Sequence, residues 1–249
     1  MHCDFSILPN IFHIDLYENQ LSGSIPPELG NCAAMKTLYL SKNQLTGDIP
    51  PELGKCTALE NLYLQGNQLG GSIPPEIAQC AALKKVNLSE NQICSYLHGS
   101  EVRSIPPELG QCTALTGLWL QKNQLRGSLP LELAECKALT TLDVQSNQLT
   151  GPVPDLSACS SLKLLALSGN ENLSASDVPA AMAACTDFTL LAAEEALAAE
   201  QRAAGGPVVE TIIDNFQRTQ KRRALLPLLL PCFLGTYSYR YLYLLQLNL

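Results

Sequence analysis

Histidine, methionine and tryptophan are nearly missing from this chain: its 249 residues hold three, three and one of them. The histidines are His2, His13 and His98, and they share no position in any repeating pattern. A repeated imidazole site for metal or catalysis is therefore excluded. No G-x-S-x-G elbow, phosphate-binding loop or H-E-x-x-H pair occurs either. Positive charge is short, with 16 Lys and Arg against 23 Asp and Glu and a formal net charge of −7. That balance argues against nucleic acid as the main partner. Ten cysteines are present, yet none forms a C-x-x-C pair or a Cys/His cluster, which removes the usual metal-binding spacings. The residues thus assign no catalytic group, no metal and no cofactor, and the reading is of a protein that is not an enzyme.

What the chain has is a clock of asparagines. Asn19, Asn43, Asn67 and Asn91 stand 24 residues apart, as do Asn123 and Asn147, and Asn170 follows 23 later. Each closes the same phrase, such as Leu-Tyr-Leu-Gln-Gly-Asn-Gln-Leu at 62–69. A fixed period in the twenties with leucines at fixed offsets is the mark of a solenoid. Leu62-Tyr63-Leu64 alternates inward and outward positions and reads as a short strand. One strand per coil gives a parallel sheet with strands roughly 4.8 Å apart. Leu53, Leu59, Leu62, Leu64 and Leu69 point inward, and only stacking of coils can bury them. The asparagine stands where the chain leaves the strand, and its amide can satisfy turn backbone groups. Its loss is expected to cost about 1–3 kcal/mol. The Pro-Pro pairs at 26–27, 50–51, 74–75 and 106–107 fix φ on the side away from the sheet.

The unit Ile-Pro-Pro-Glu-Leu-Gly-x-Cys-x-x-Leu-x-x-Leu-x-Leu-x-x-Asn-Gln-Leu-x-Gly resembles the plant-type leucine-rich repeat, and Leu-Thr-Gly-Asp-Ile-Pro at 45–50 is its most specific mark. The resemblance covers about residues 11–191. It implies an α/β repeat fold, a leucine-rich-repeat solenoid of about seven coils with a parallel concave sheet. Receptor-like kinase ectodomains and polygalacturonase-inhibiting proteins carry such repeats. None of the protein-kinase signatures occurs in this chain.

Cys32, Cys56, Cys80, Cys112, Cys136, Cys159 and Cys185 occupy one repeat position and form a column, one per coil. Side chains in a column run parallel rather than toward each other, so these are expected to be reduced core thiols. The first coil begins mid-repeat at Ile11, Ile14, Leu16 and Asn19, with no apolar signal segment or paired-cysteine cap before it. The expectation is a piece of a longer product. As written the chain reads as intracellular, whereas the resemblance implies the plasma membrane or cell surface.

Three domains are expected: a solenoid over 1–191, an Ala/Glu-rich capping helix over 192–204, and a tail over 205–249. The tail holds a basic cluster, Arg218 to Arg223, followed by an apolar run. A membrane anchor through 218–249, a packed helix and a mis-joined sequence are all open there.

The outward strand positions are free of the packing demand, so function is sought there. One column reads Asp15, Tyr39, Tyr63, Asn87, Trp119, Asp143, Ala166, and beside it run Gln65, Gln121 and Gln145. Aromatics anchor interfaces and amides supply directional bonds. Tyr39, Tyr63, Asn87, Trp119, Asp143, Gln65, Gln121 and Gln145 are accordingly the candidate partner-binding residues. The bland alternative is cross-strand stacking for stability alone. If these rings face solvent, Trp119→Ala or Tyr63→Ala should barely change melting. The spacing from Asn91 to Asn123 is 32, and the excess lies near 94–103, where Tyr96 and His98 are candidate loop contacts. Asn87-Leu-Ser89 and Asn172-Leu-Ser174 are candidate glycosylation sites. The expected partner is a protein or peptide, with a glycan open. The first reading is a recognition segment of a receptor-like or signalling protein. A secreted inhibitor of wall-degrading enzymes and an intracellular scaffold are the alternatives.

Overall fold

A proline pair opens four of the coils and a short strand follows each, so the same backbone path repeats along the chain. The computed structural model describes residues 11–94, 96–98, 101–103 and 105–174. In chain order its strands are β1 (His13–Asp15), β2 (Ser22–Ser24), β3 (Thr37–Tyr39), β4 (Gln44–Gly47), β5 (Asn61–Tyr63), β6 (Gln68–Leu69), β7 (Lys85–Asn87) and β8 (Tyr96–His98). Then come β9 (Glu101–Arg103), β10 (Gly117–Trp119), β11 (Arg126–Gly127), β12 (Thr141–Asp143), β13 (Gln148–Pro152), β14 (Leu164–Ala166) and β15 (Asn172–Ser174). Seven of them form the long parallel sheet in the order β1-β3-β5-β7-β10-β12-β14. The register never slips: Ile14, Leu38, Leu62, Val86, Leu118, Leu142 and Leu165 are successive partners. These residues are buried and run down the middle of one continuous core.

Away from the sheet, each standard coil makes a 3₁₀ helix: Pro27–Asn31, Pro51–Lys55, Pro75–Gln79, Pro107–Gln111 and Leu131–Glu135. The second proline of each pair sits at the first helical position, where a missing N–H costs nothing. The thiol column lies just past these helices, and all six cysteines of it among the described residues are free and buried. The Cys56, Cys80 and Cys136 thiols donate to the carbonyls of Leu29, Leu53 and Leu109 in the preceding coil, at 3.3, 3.4 and 3.4 Å. Burial pushes these three thiols up to about 12, so they stay protonated donors.

The asparagines tie coil to coil. Asn67 Oδ1 accepts the Leu45 N–H at 3.0 Å, and its Nδ2 donates to Leu40 O at 3.0 Å and Leu64 O at 2.9 Å. Asn43, Asn91, Asn123, Asn147 and Asn170 repeat the pattern. The residue before each asparagine has positive φ, in five coils without a glycine: Glu18, Lys42, Glu90, Lys122 and Ser146. A left-handed non-glycine residue costs about 1–2 kcal/mol, and the three bonds behind it outweigh that.

The insertion leaves the long sheet untouched, since β7 still pairs β10 through Val86 and Leu118. It is an antiparallel hairpin, β8–β9, with Tyr96 opposite Arg103. The hairpin divides a second ladder into two parallel sheets, β2-β4-β6 and β11-β13-β15. Among the described residues, a bridge from Cys94 to Gln124 carries that ladder across the gap, and the Gln124 N–H donates to Ile93 O at 2.8 Å. The capping helix over 192–204, the end of the solenoid after 174 and the tail over 205–249 lie outside the described residues. Among the described residues, no helix is long and apolar enough to cross a membrane.

Glycine sets the coil spacing. A Cβ on Gly30, Gly54 or Gly110 would run into the backbone carbonyl of Glu52, Glu76 or Glu132 in the next coil. Alanine replaces glycine at Ala78, the step that carries the insertion, and there the Cys112 thiol lies 3.9 Å from Ala78 O. Gly54→Ala is expected to lose about 2 kcal/mol of stability from overpacking. Ala78→Gly, where the native residue already carries a Cβ, should cost about 0.5–1 kcal/mol. Denaturant midpoints of the two variants test the ordering, and a neutral Gly54→Ala would remove glycine as the spacer.

Candidate functional site

The invariant register brings the candidate residues of the long sheet into two adjacent lines. Asp15, Tyr39, Tyr63, Asn87, Trp119, Asp143 and Ala166 are direct partners along the sheet. Gln65, Gln121 and Gln145 each follow two residues later on the same face. Tyr39 and Tyr63 are half-buried, and their rings meet edge to face at 4.6 Å and 86°. Such a pair contributes about 0.5–1.5 kcal/mol beyond burial, so stacking and display coexist here.

The other half of the line is not the open surface that alternation alone predicts. Trp119 is 4% exposed, Asn87 0%, Asp143 1% and Gln121 6%. The reason begins at Gly117. The Trp119 ring folds back along its own strand and fills the space where a residue-117 side chain would be. The strand that carries the bulkiest ring is also the one with no side chain two residues before it. Trp119 is flanked in register by Asn87 and Asp143.

Hydrogen bonds hold these neighbours only in part. Asn87 Oδ1 accepts from the Ser89 backbone N–H at 3.1 Å and from Ser89 Oγ at 2.7 Å. Asp143 Oδ1 accepts the Gln145 N–H at 3.1 Å. Asn87 Nδ2, Asp143 Oδ2, Gln65 Oε1 and Gln121 Oε1 are buried with no partner. Burial pushes the Asp143 carboxyl up to about 6, against the pull of the Gln145 N–H and the Lys122 charge. Lys122 itself pairs with Glu90 at 2.8 Å.

Tyr96 and His98 lie on β8, in the hairpin and not in the long sheet, so the topology does not join them to this line. Asn87 is fully buried, so the Nδ2 of that sequon does not face solvent in the folded chain. Asn172 is exposed at the start of β15. Alternation places Ser89 in the outward column beside Gln65 and Gln121, whereas Gly117 and Thr141, both buried on this face, are not among the candidates. A glycine two residues before a tryptophan in a strand was the available signal.

Two outcomes follow from this packing. Trp119→Ala should lower stability by about 3 kcal/mol, because a buried ring is removed. An unchanged melting temperature would return the ring to solvent. Asp143 is held protonated more tightly in the folded chain than in the unfolded one. It therefore costs stability as pH rises from about 4 to about 6. Asp143→Asn should gain about 2 kcal/mol at pH 7 and nothing below about pH 4. Melting curves of both proteins across that range are the check.

Sequence and structure comparisons agree with this architecture. A family model described as Leucine Rich repeats (2 copies) matches residues 34–71, and one described as Leucine Rich Repeat matches 10–32 and 138–159. No curated protein matches the chain in sequence. Solved structures do. The ectodomain of the Arabidopsis thaliana membrane receptor kinase GASSHO1/SCHENGEN3, in complex with CASPARIAN STRIP INTEGRITY FACTOR 2, is 35% identical with a TM-score of 0.63 over 70% of this chain. The ectodomain of the Arabidopsis receptor kinase HAESA, with an extended IDA peptide hormone ligand, is 35% identical with a TM-score of 0.59 over 70%. Pollen Receptor Kinase 3 is 29% identical with a TM-score of 0.57 over 67%. The chain spans 20% and 28% of the first two and 76% of the third. Seven in-register strands, the coil-bridging asparagines and these matches together make the chain a leucine-rich-repeat protein, similar in fold to plant receptor-kinase ectodomains.

Proposed function

We propose that this chain is a non-enzymatic recognition module that binds a peptide or protein ligand along the outward face of its long sheet, as a segment of a receptor-like protein. The observation that carries the proposal is the alignment of Tyr39, Tyr63, Trp119 and the glutamine line on one face by an unbroken register. The leucines behind them complete the core without using this face. Aromatic rings beside amides are the composition of binding patches. The likeness to ectodomains solved with a peptide hormone or a protein factor supports the same reading.

Tyr63 is the anchor to test first, because it is half-buried, whereas removing the buried Trp119 ring also costs stability. The full chain is to be panned against a displayed peptide library and the recovered sequences titrated by calorimetry. Tyr63→Ala is expected to weaken binding about tenfold while shifting melting by only a few degrees. A library that yields no binder overturns the proposal. Equal affinity in the variant moves the site off this face.

A further inference from the structure

Among the described residues, the buried side-chain nitrogen and oxygen atoms that lack a partner are four: Gln65 Oε1, Asn87 Nδ2, Gln121 Oε1 and Asp143 Oδ2. All four belong to the two adjacent lines on one face of the long sheet, between β5 and β12. Three accept and one donates. Buried polar groups are almost always paired, so the orphans on Asn87, Gln121 and Asp143, on the strand of one indole and its two neighbours, form a shared demand. Asn87, Gln121 and Asp143 are each more than nine-tenths buried. Trp119 stands between Asn87 and Asp143 in register.

We infer that this patch seats an arginine side chain of the bound peptide. The inference rests on the peptide-binding reading above and names what that site selects. A guanidinium has five N–H donors in a flat fork and no acceptor, which answers the two neighbouring acceptors, Gln121 Oε1 and Asp143 Oδ2, at once. Its fork pairs with a carboxylate such as Asp143, and its plane stacks on an indole such as Trp119. Lysine offers the charge without the plane. Asn87 Nδ2, the one donor, is left to meet a peptide carbonyl. The chain's net charge of −7 draws such a ligand in. The Trp119 ring lies over Gly117, which carries no side chain of its own, and the seat requires the ring to move off that glycine.

Trp119 is the only tryptophan, so its emission reports the site alone. The full chain is titrated with N-acetyl-arginine-N-methylamide, with the citrulline analogue (the same shape without charge) and with the lysine analogue. The arginine probe is expected to give a saturable change, with citrulline at least about tenfold weaker and lysine between them. Asp143→Asn should weaken the arginine probe about tenfold, and circular dichroism will establish that the variant is folded. Gln121→Leu should weaken it about threefold. Equal responses to arginine and citrulline, or an unchanged affinity in Asp143→Asn, overturn the arginine seat. The peptide library separates the two readings. Binders without basic residues that bind Asp143→Asn equally well leave the module standing and remove the seat. A library without binders removes the module, and the arginine titration then decides the seat by itself.

Discussion

One side-chain amide per coil holds this molecule to its period. Asn67 accepts an N–H from the preceding coil and donates both to that coil and to its own, three bonds from one group that water cannot reach. Buried backbone groups left unpaired at that corner would cost about 1–3 kcal/mol each, so every coil must return its asparagine to the same place. The left-handed residue just before it is the geometric consequence. The chain accepts Lys42 or Glu90 there, residues that ordinarily avoid such φ, because the bonds it would lose otherwise are worth more. The exact register of the long sheet is inherited from this corner, one coil at a time.

The insertion shows how strict the constraint is. Asn123 still reaches Leu88 O at 2.9 Å and accepts from Ile93 N–H at 3.0 Å, although the sequence distance between asparagines has grown by eight. The extra residues had no place on the long sheet, where a one-residue slip would turn the leucines outward. They leave through the second ladder instead, which is two to five residues wide per coil and buries less. The hairpin costs that ladder its continuity and the core nothing. Behind it the Cys112 thiol lies 3.9 Å from Ala78 O, close to the 3.8 Å between Cys80 and Gly54 O in a standard coil.

Most of the fold was legible because its causes are periodic. Asparagine, leucine, proline and cysteine each answer to one position in the coil, and a single chain contains several copies of the evidence for each. The row of candidate residues was legible for the same reason, since alternation fixes which side of a strand a residue takes. How a ring lies on that side is not periodic. Trp119 is buried through a relation found once, with Gly117 in its own strand, and Asn87 is buried beside it although alternation points it outward. The insertion was visible as a broken interval, but its hairpin pairing depends on local residues that no other coil repeats.

The division of labour between the two sides of the strand has an energetic meaning. Four unpartnered polar atoms at about 1–3 kcal/mol each are a large penalty for a chain whose net stability is of order 5–15 kcal/mol. In a globular domain one such cluster could decide folding. In a solenoid the penalty is confined to three or four coils, while every coil adds its own leucines, thiol and asparagine to the balance. The repeating core thus lets one face carry groups chosen for something other than stability. The cluster stands where that freedom is greatest, in the interior of the stack, with core coils on both sides of β7, β10 and β12. A face built only for stability would have apolar residues at Asn87 and Asp143, as the neighbouring position Ala166 already does.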